Sequence, residues 1–173
     1  MALAAPFAAL AQEAARRPAA SADPTISRDS AVVLLARAQL GRRYVWGGNS
    51  PEEGFDCSGF LKYLMRAFGV QLPRTANEQA QVGVEVPRDR SLLRPGDILT
   101  FGRGRRVTHV GVYIGNGRYI HASSRQRRIV EASMDRPSSL LRAWRGVRRM
   151  LTRPDSAEVM ARQPDTTPAR PRS

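Results

Sequence analysis

Val107-Thr108-His109-Val110-Gly111-Val112-Tyr113-Ile114, then Gly115-Asn116-Gly117, then Arg118-Tyr119-Ile120-His121-Ala122: this stretch decides the fold class. Both flanking runs are rich in β-branched and aromatic residues, and Asn-Gly between them is the strongest short-range hairpin signal. Two antiparallel strands are therefore expected here. Asp97 to Phe101, Arg128 to Ala132 and Leu141 to Val147 have the same texture and extend the sheet. The sequence before them is helical in pattern. Ala31 to Leu40 is expected as a helix capped by Asp29 or Ser30 and closed by Gly41. A second runs from Cys57 to Phe68, with Phe60, Leu61, Leu64, Met65 and Phe68 on one face and Gly69 at its end. A short third covers Ala76 to Val82, and Tyr44 to Pro51 reads as a loop from its Gly and Pro content. Helices first and an antiparallel sheet after is an α+β arrangement, with the helices packed on the sheet.

Outward from the hairpin, the chemistry is concentrated in few residues. Cys57 is the only cysteine, and His109 and His121 are the only histidines. Asp56 before Cys57 puts the thiol in the first turn of its helix, where unpaired N–H groups and the macrodipole favour a thiolate. That reasoning predicts alkylation of Cys57 below pH 7. The following N–H groups and the Ser58 hydroxyl could face a developing oxyanion, and Gly59 permits close approach of another element. Alternation places His109, Gly111 and Tyr113 on one strand face, and a neighbouring strand could bring His121 to His109. A thiol nucleophile, a base and a group orienting that base would then be complete. The same residues are equally compatible with a small buried cysteine and structural histidines. A metal site is disfavoured, because the close ligand pairs of zinc sites are missing.

The composition bounds the rest. A chain of 173 residues with 42% hydrophobic and 25% charged residues suits one soluble domain. Lys and Arg total 28 against 15 Asp and Glu, a net charge of +13, and Lys62 is the only lysine. Such a surface attracts polyanions, although genome composition alone can produce it. No apolar run is long enough for a spanning helix. Met1 to Ala11 resembles the rear of a secretory signal without its basic start. Residues 1–28 are expected to be a disordered leader, 29–151 the folded domain, and the proline-rich 152–173 a disordered tail.

Six blocks, in order, carry a resemblance: Tyr44-Val45-Trp46-Gly47-Gly48, Phe55-Asp56-Cys57-Ser58-Gly59-Phe60, Leu72-Pro73-Arg74-Thr75-Ala76-Asn77-Glu78-Gln79, Arg94-Pro95-Gly96-Asp97-Ile98, His109 to Gly115, and Ile120-His121-Ala122. Together they resemble the NlpC family of bacterial cell-wall cysteine peptidases. The resemblance implies a papain-like core, with Cys57 as nucleophile, His109 as general base and His121 as the residue that orients it. It implies that Tyr44 lines the site and helps polarise the scissile carbonyl, and that Asp56 and Ser58 bind substrate by gripping a free amine. Trp46, Gly47, Gly48 and Gly59 correspond to packing and loop-shape residues, and Thr75 and Gln79 to structural ones.

The implied substrate is the peptidoglycan stem peptide, cut at the bond between γ-linked D-glutamate and the diamino acid. No cofactor and no metal are implied. The protein is expected to be a monomer, periplasmic or secreted, with no specific nucleic-acid partner and no transmembrane segment. Two alternatives stay open at this stage: an amidase or acyl-transfer enzyme on the same fold, and a non-catalytic, arginine-rich polyanion binder.

Overall fold

In the computed structural model the described residues are 28–151; the expected leader and tail lie outside them. Helix α1 (Arg28–Arg37) opens with Asp29 in its first turn and closes with Arg37 in its last, both complementing the macrodipole. It begins before the expected caps, and a series of turns carries the chain from Ala38 to Gly41, whose φ is +83°. Inside the expected Tyr44–Pro51 loop a two-residue strand, β1 (Asn49–Ser50), pairs with β2 (Gly54–Phe55) just beyond it. Helix α2 (Cys57–Arg66) follows directly, capped by Asp56, whose backbone is extended and whose side chain accepts the Gly59 N–H. It ends two residues before Phe68; Gly69, at φ +78°, reverses the chain so that Val70 N–H reaches Met65 O.

Helix α3 (Ala76–Gln79) is shorter than expected and starts at a capping box between Thr75 and Glu78. The strands come next: β3 (Val84–Val86), β4 (Ile98–Arg103), β5 (Arg106–Gly115), β6 (Arg118–Ser123) and β7 (Arg128–Ser133), with a 3₁₀ turn at Arg90–Leu92. A short helix α4 (Ser139–Arg142), capped by the Ser138 hydroxyl, leads into β8 (Trp144–Arg149). The last strand is thus shifted from the expected Leu141 to Val147, because Ser138 starts a helical turn there.

All strand pairings in the six-stranded sheet are antiparallel, in the order β3-β8-β4-β5-β6-β7. The β5–β6 hairpin turns at Asn116 and Gly117, with φ of 52° and 65°, as a two-residue primed turn requires. Beyond it Val112 faces Ile120 and Tyr113 faces Tyr119. Alternation along β5 sends Val110, Val112 and Ile114 to a core shared with Phe60, Leu61, Leu64 and Met65 of α2. Tyr113 points the other way, into a second cluster with Leu99, Phe101, Tyr119 and Val147. The four α2 side chains are fully buried. At roughly 1.5–3 kcal/mol of transfer free energy each, they fix the helix and with it the position of Cys57.

One close approach sets the start of α2. A Cβ on Gly59 would lie 2.1 Å from Gly48 O, so only glycine lets the 44–48 segment cross the first helical turn. The N–H of Asp56 donates to that same Gly48 carbonyl.

Candidate active site

Cys57 occupies the first position of α2 and is half-buried. Its own N–H and those of Ser58 and Val110 favour the sulfur anion, but burial is the largest effect and, with the Asp56 charge, pushes the thiol up. The macrodipole argument is therefore outweighed here: the structure favours a neutral thiol, against the expectation of ready alkylation below pH 7.

The two imidazoles meet as expected. His109 Nε2 lies 2.8 Å from His121 Nδ1, with the rings nearly perpendicular. His121 is buried and stacks on Tyr119, while His109 packs near Phe101 and keeps an edge open to the cavity. Burial lowers His109 to about 4. Burial, and then the charge of His109, lowers His121 to about 3. Both are neutral at pH 7, so one ring nitrogen donates and the other accepts. With Nε2 committed to His121, Nδ1 is the His109 nitrogen left for other chemistry. A hydrogen-bonded pair at this distance is also unlike two ligands turned towards one metal ion.

Asp56 is the most heavily bonded group at the site. Oδ1 accepts from Gly59 N at 2.7 Å, Ser58 Oγ at 3.1 Å and Arg74 Nη1 at 3.1 Å. Oδ2 accepts from Arg74 Nη2 at 2.6 Å and Gly47 N at 3.0 Å. Burial alone would raise this carboxyl; the Arg74 and backbone donors outweigh it and hold it below the usual range. Ser58 Oγ also accepts from Arg74 Nη1 at 2.9 Å and is buried, so its hydroxyl is not free to face an oxyanion. Tyr44 is close enough that the charges of Cys57 and Asp56, after burial, raise its phenol.

A cavity of about 890 Å³ brings Tyr44, Asp56, Cys57, Ser58 and His109 together. His121 stands behind His109 and opens onto a second hollow of about 630 Å³, which shares Thr108, His109 and Ser124 with the first. Sequence reasoning missed two members. Arg74 sits 16 and 18 residues from its partners Ser58 and Asp56, so no local pattern announces the pairing. Trp46, expected to pack, is 87% exposed at the cavity wall. The expected structural role of Gln79 is visible: it is buried, and its Nε2 donates to Ser58 O and Pro73 O, tying α3 to α2.

The model of the "NlpC/P60 family" matches residues 41–149. The murein DD-endopeptidase MepH of Escherichia coli is 40% identical over 118 residues, 66% of this chain and 43% of that protein. The gamma-DL-glutamyl hydrolase of Bacillus subtilis is 41% identical over 110 residues, 62% of this chain and 26% of that protein. Among solved structures, the peptidoglycan hydrolase RipB of Mycobacterium tuberculosis superposes with a TM-score of 0.61 at 27% identity, covering 88% of this chain and 75% of that one. The chain spans less than half the length of these two curated relatives. The α+β, papain-like arrangement expected from the sequence is the one these neighbours share.

Proposed function

The chain belongs to the NlpC/P60 family, and from that premise we propose that it is a peptidoglycan hydrolase, a cysteine endopeptidase acting on stem peptides. In this reading Cys57 is the nucleophile, His109 the general base and His121 the residue that orients it. The observation that carries the reading is the 2.8 Å His109–His121 hydrogen bond beside a cavity lined by Cys57 at a capped helix start.

The tautomers follow from that bond. For His109 Nδ1 to accept the thiol proton, its Nε2 must carry hydrogen, so His121 Nδ1 is the acceptor. The Cys57 proton passes to His109 Nδ1 as sulfur attacks the scissile carbonyl carbon. The resulting imidazolium still donates through Nε2 to His121, which holds the ring in place. His109 then returns the proton to the leaving amine, and the C–N bond breaks to give a thioester on Cys57. Water, deprotonated by His109, attacks the thioester; the acid leaves and the thiol is restored. The N–H groups of Cys57, Ser58 and Val110, which favour charge at the sulfur, are the backbone donors this reading assigns to the developing oxyanion.

Tyr44, Asp56 and Ser58 form the substrate-binding wall on the Cys57 side. Asp56 already accepts five hydrogen bonds, against roughly four lone-pair positions on a carboxylate. A substrate amine reaches it only by displacing a donor; of the two side chains that donate, Ser58 is buried and the partly exposed Arg74 is the one able to leave. The bond we assign is that between γ-linked D-glutamate and the diamino acid, which places the enzyme outside the cytoplasm, and we assign the activity to a monomer. Among the described residues, no helix is long and apolar enough to cross a membrane.

Digestion of purified peptidoglycan, with mass spectrometry of the released fragments, tests this. Fragments ending in γ-linked glutamate and fragments starting at the diamino acid are expected. Release at peptide cross-links instead would overturn the bond assignment, and no release would overturn the function.

A further inference from the structure

Four arginines reach the two hollows on either side of His109. Arg74, Arg105 and Arg106 line the first, and Arg125 lines the second. The acids available to answer them are few. Asp56 and Glu78 line the first hollow, and the second has no carboxylate in its lining. Asp56 is bonded to Arg74, and Glu78 accepts from the N–H and hydroxyl of Thr75 at 3.0 and 2.7 Å. Among the described residues, Arg105 and Arg106 therefore form no ion pair. Arg37, Arg118 and Arg149, by contrast, each meet a carboxylate.

The two guanidiniums rise from a turn whose base is tied to the cavity wall. They sit at the tip of the β4–β5 hairpin, where Arg103 pairs with Arg106, and Asn77 Oδ1 accepts the Val107 N–H at 3.1 Å. That bond joins the hairpin to α3 on the wall of the same cavity.

We propose that Arg105 and Arg106 form a carboxylate-binding subsite of the cleft, so that the enzyme selects substrates with a free carboxylate near the cleaved bond. The inference rests on the function proposed above and adds its specificity. A γ-linked glutamyl residue leaves its α-carboxylate free, on the same residue as the carbonyl being cut and separated from it by a short alkyl chain. Guanidinium forks match carboxylates with two parallel hydrogen bonds. An α-carboxamide of the same shape offers one acceptor and turns its NH₂ donors against the arginine donors, which penalises the wrong substrate.

The test uses a stem tripeptide that contains the γ-D-glutamyl-lysine bond and a free glutamyl α-carboxylate, and the same peptide with an α-carboxamide there. Binding of each to full-length Cys57→Ala protein is measured by calorimetry, so the readout does not depend on turnover. Charged hydrogen bonds of this kind support an expected preference of roughly tenfold for the acid. Arg105→Gln/Arg106→Gln in that background should bring the preference close to one by weakening the acid alone, while Arg66→Gln, on the exposed end of α2, should leave it intact. Equal binding of both peptides before substitution, or equal weakening of both after it, would overturn the proposal. Cleavage by the unsubstituted enzyme is scored separately. Acid-selective binding without cleavage would sink the proposed activity and leave the subsite standing.

Discussion

Acidification from pH 7 to pH 4.5 should cost this domain an unusual amount of stability, and the cause is the histidine pair. Both rings are held neutral when folded, at about 4 for His109 and about 3 for His121, against an ordinary 6.5. The sign follows from proton counting. Below 6.5 the unfolded chain takes up a proton at each histidine, while the folded chain does not until pH nears 4 or 3. Protons therefore favour unfolding across that window, and stability falls as pH falls. Each ring contributes at most about 1.4 kcal/mol per pH unit. His121 is buried and carries its full share, whereas His109 keeps an edge in the cavity and carries less. Together they predict a loss of about 3–5 kcal/mol by pH 4.5. Asp56 adds little within this window: it is held below its ordinary 3.8, so its stabilisation is lost only at lower pH. Urea unfolding followed by tryptophan fluorescence at half-unit steps measures the effect. His109→Gln/His121→Asn, scored by the same assay, should remove most of the slope. An imidazolium–thiolate pair would act oppositely, raising His109 above 6.5 and adding stability below it. A flat or rising profile would thus refute the neutral pair and the mechanism's starting state.

The same reasoning gives Cys57 an iodoacetamide profile with its midpoint above the roughly 8.5 of a free thiol, since burial raises it; a midpoint below 7 would contradict it. Arg74→Ala should lower stability by about 1–2 kcal/mol, less than for a fully buried pair because the arginine is partly open, as the change in urea midpoint would show. It should also make turnover more sensitive to acetylation of the substrate's amine, because Asp56 loses two donors. His109→Ala should cut kcat nearly as far as loss of the thiol, and His121→Ala less, since water can partly replace a residue that only orients the base. Indistinguishable kinetics for His121→Ala and the unsubstituted enzyme would remove His121 from the site.

What the sequence made legible is local. Asp56 as a cap, the spacing of Phe60, Leu61, Leu64 and Met65, and Asn116-Gly117 each act within a few residues. Helix α2 and the β5–β6 hairpin follow from them. The meeting of His109 and His121 was readable because that hairpin makes their strands neighbours. The position of β8 between β3 and β4 was not, since it depends on pairing with residues far away in the chain. Val84 to Val86 is too short to show alternation, and becomes a strand only through β8. Arg74 lies in the Leu72–Gln79 motif, yet its role depends on two partners brought to it by packing. The thiol's ionisation departs from the sequence expectation for a related reason. A helix start is visible in sequence, but the burial that opposes it is a property of the assembled core.

The central claim is that the Cys57 thiol attacks stem-peptide bonds. Purified peptidoglycan incubated with the enzyme and with Cys57→Ser, with released peptides quantified by mass spectrometry, tests it most directly. The variant should keep the unfolding midpoint of the parent, because only the sulfur is exchanged for oxygen, and should release no fragments above background. Release by Cys57→Ser at a rate near that of the unsubstituted enzyme would contradict the account.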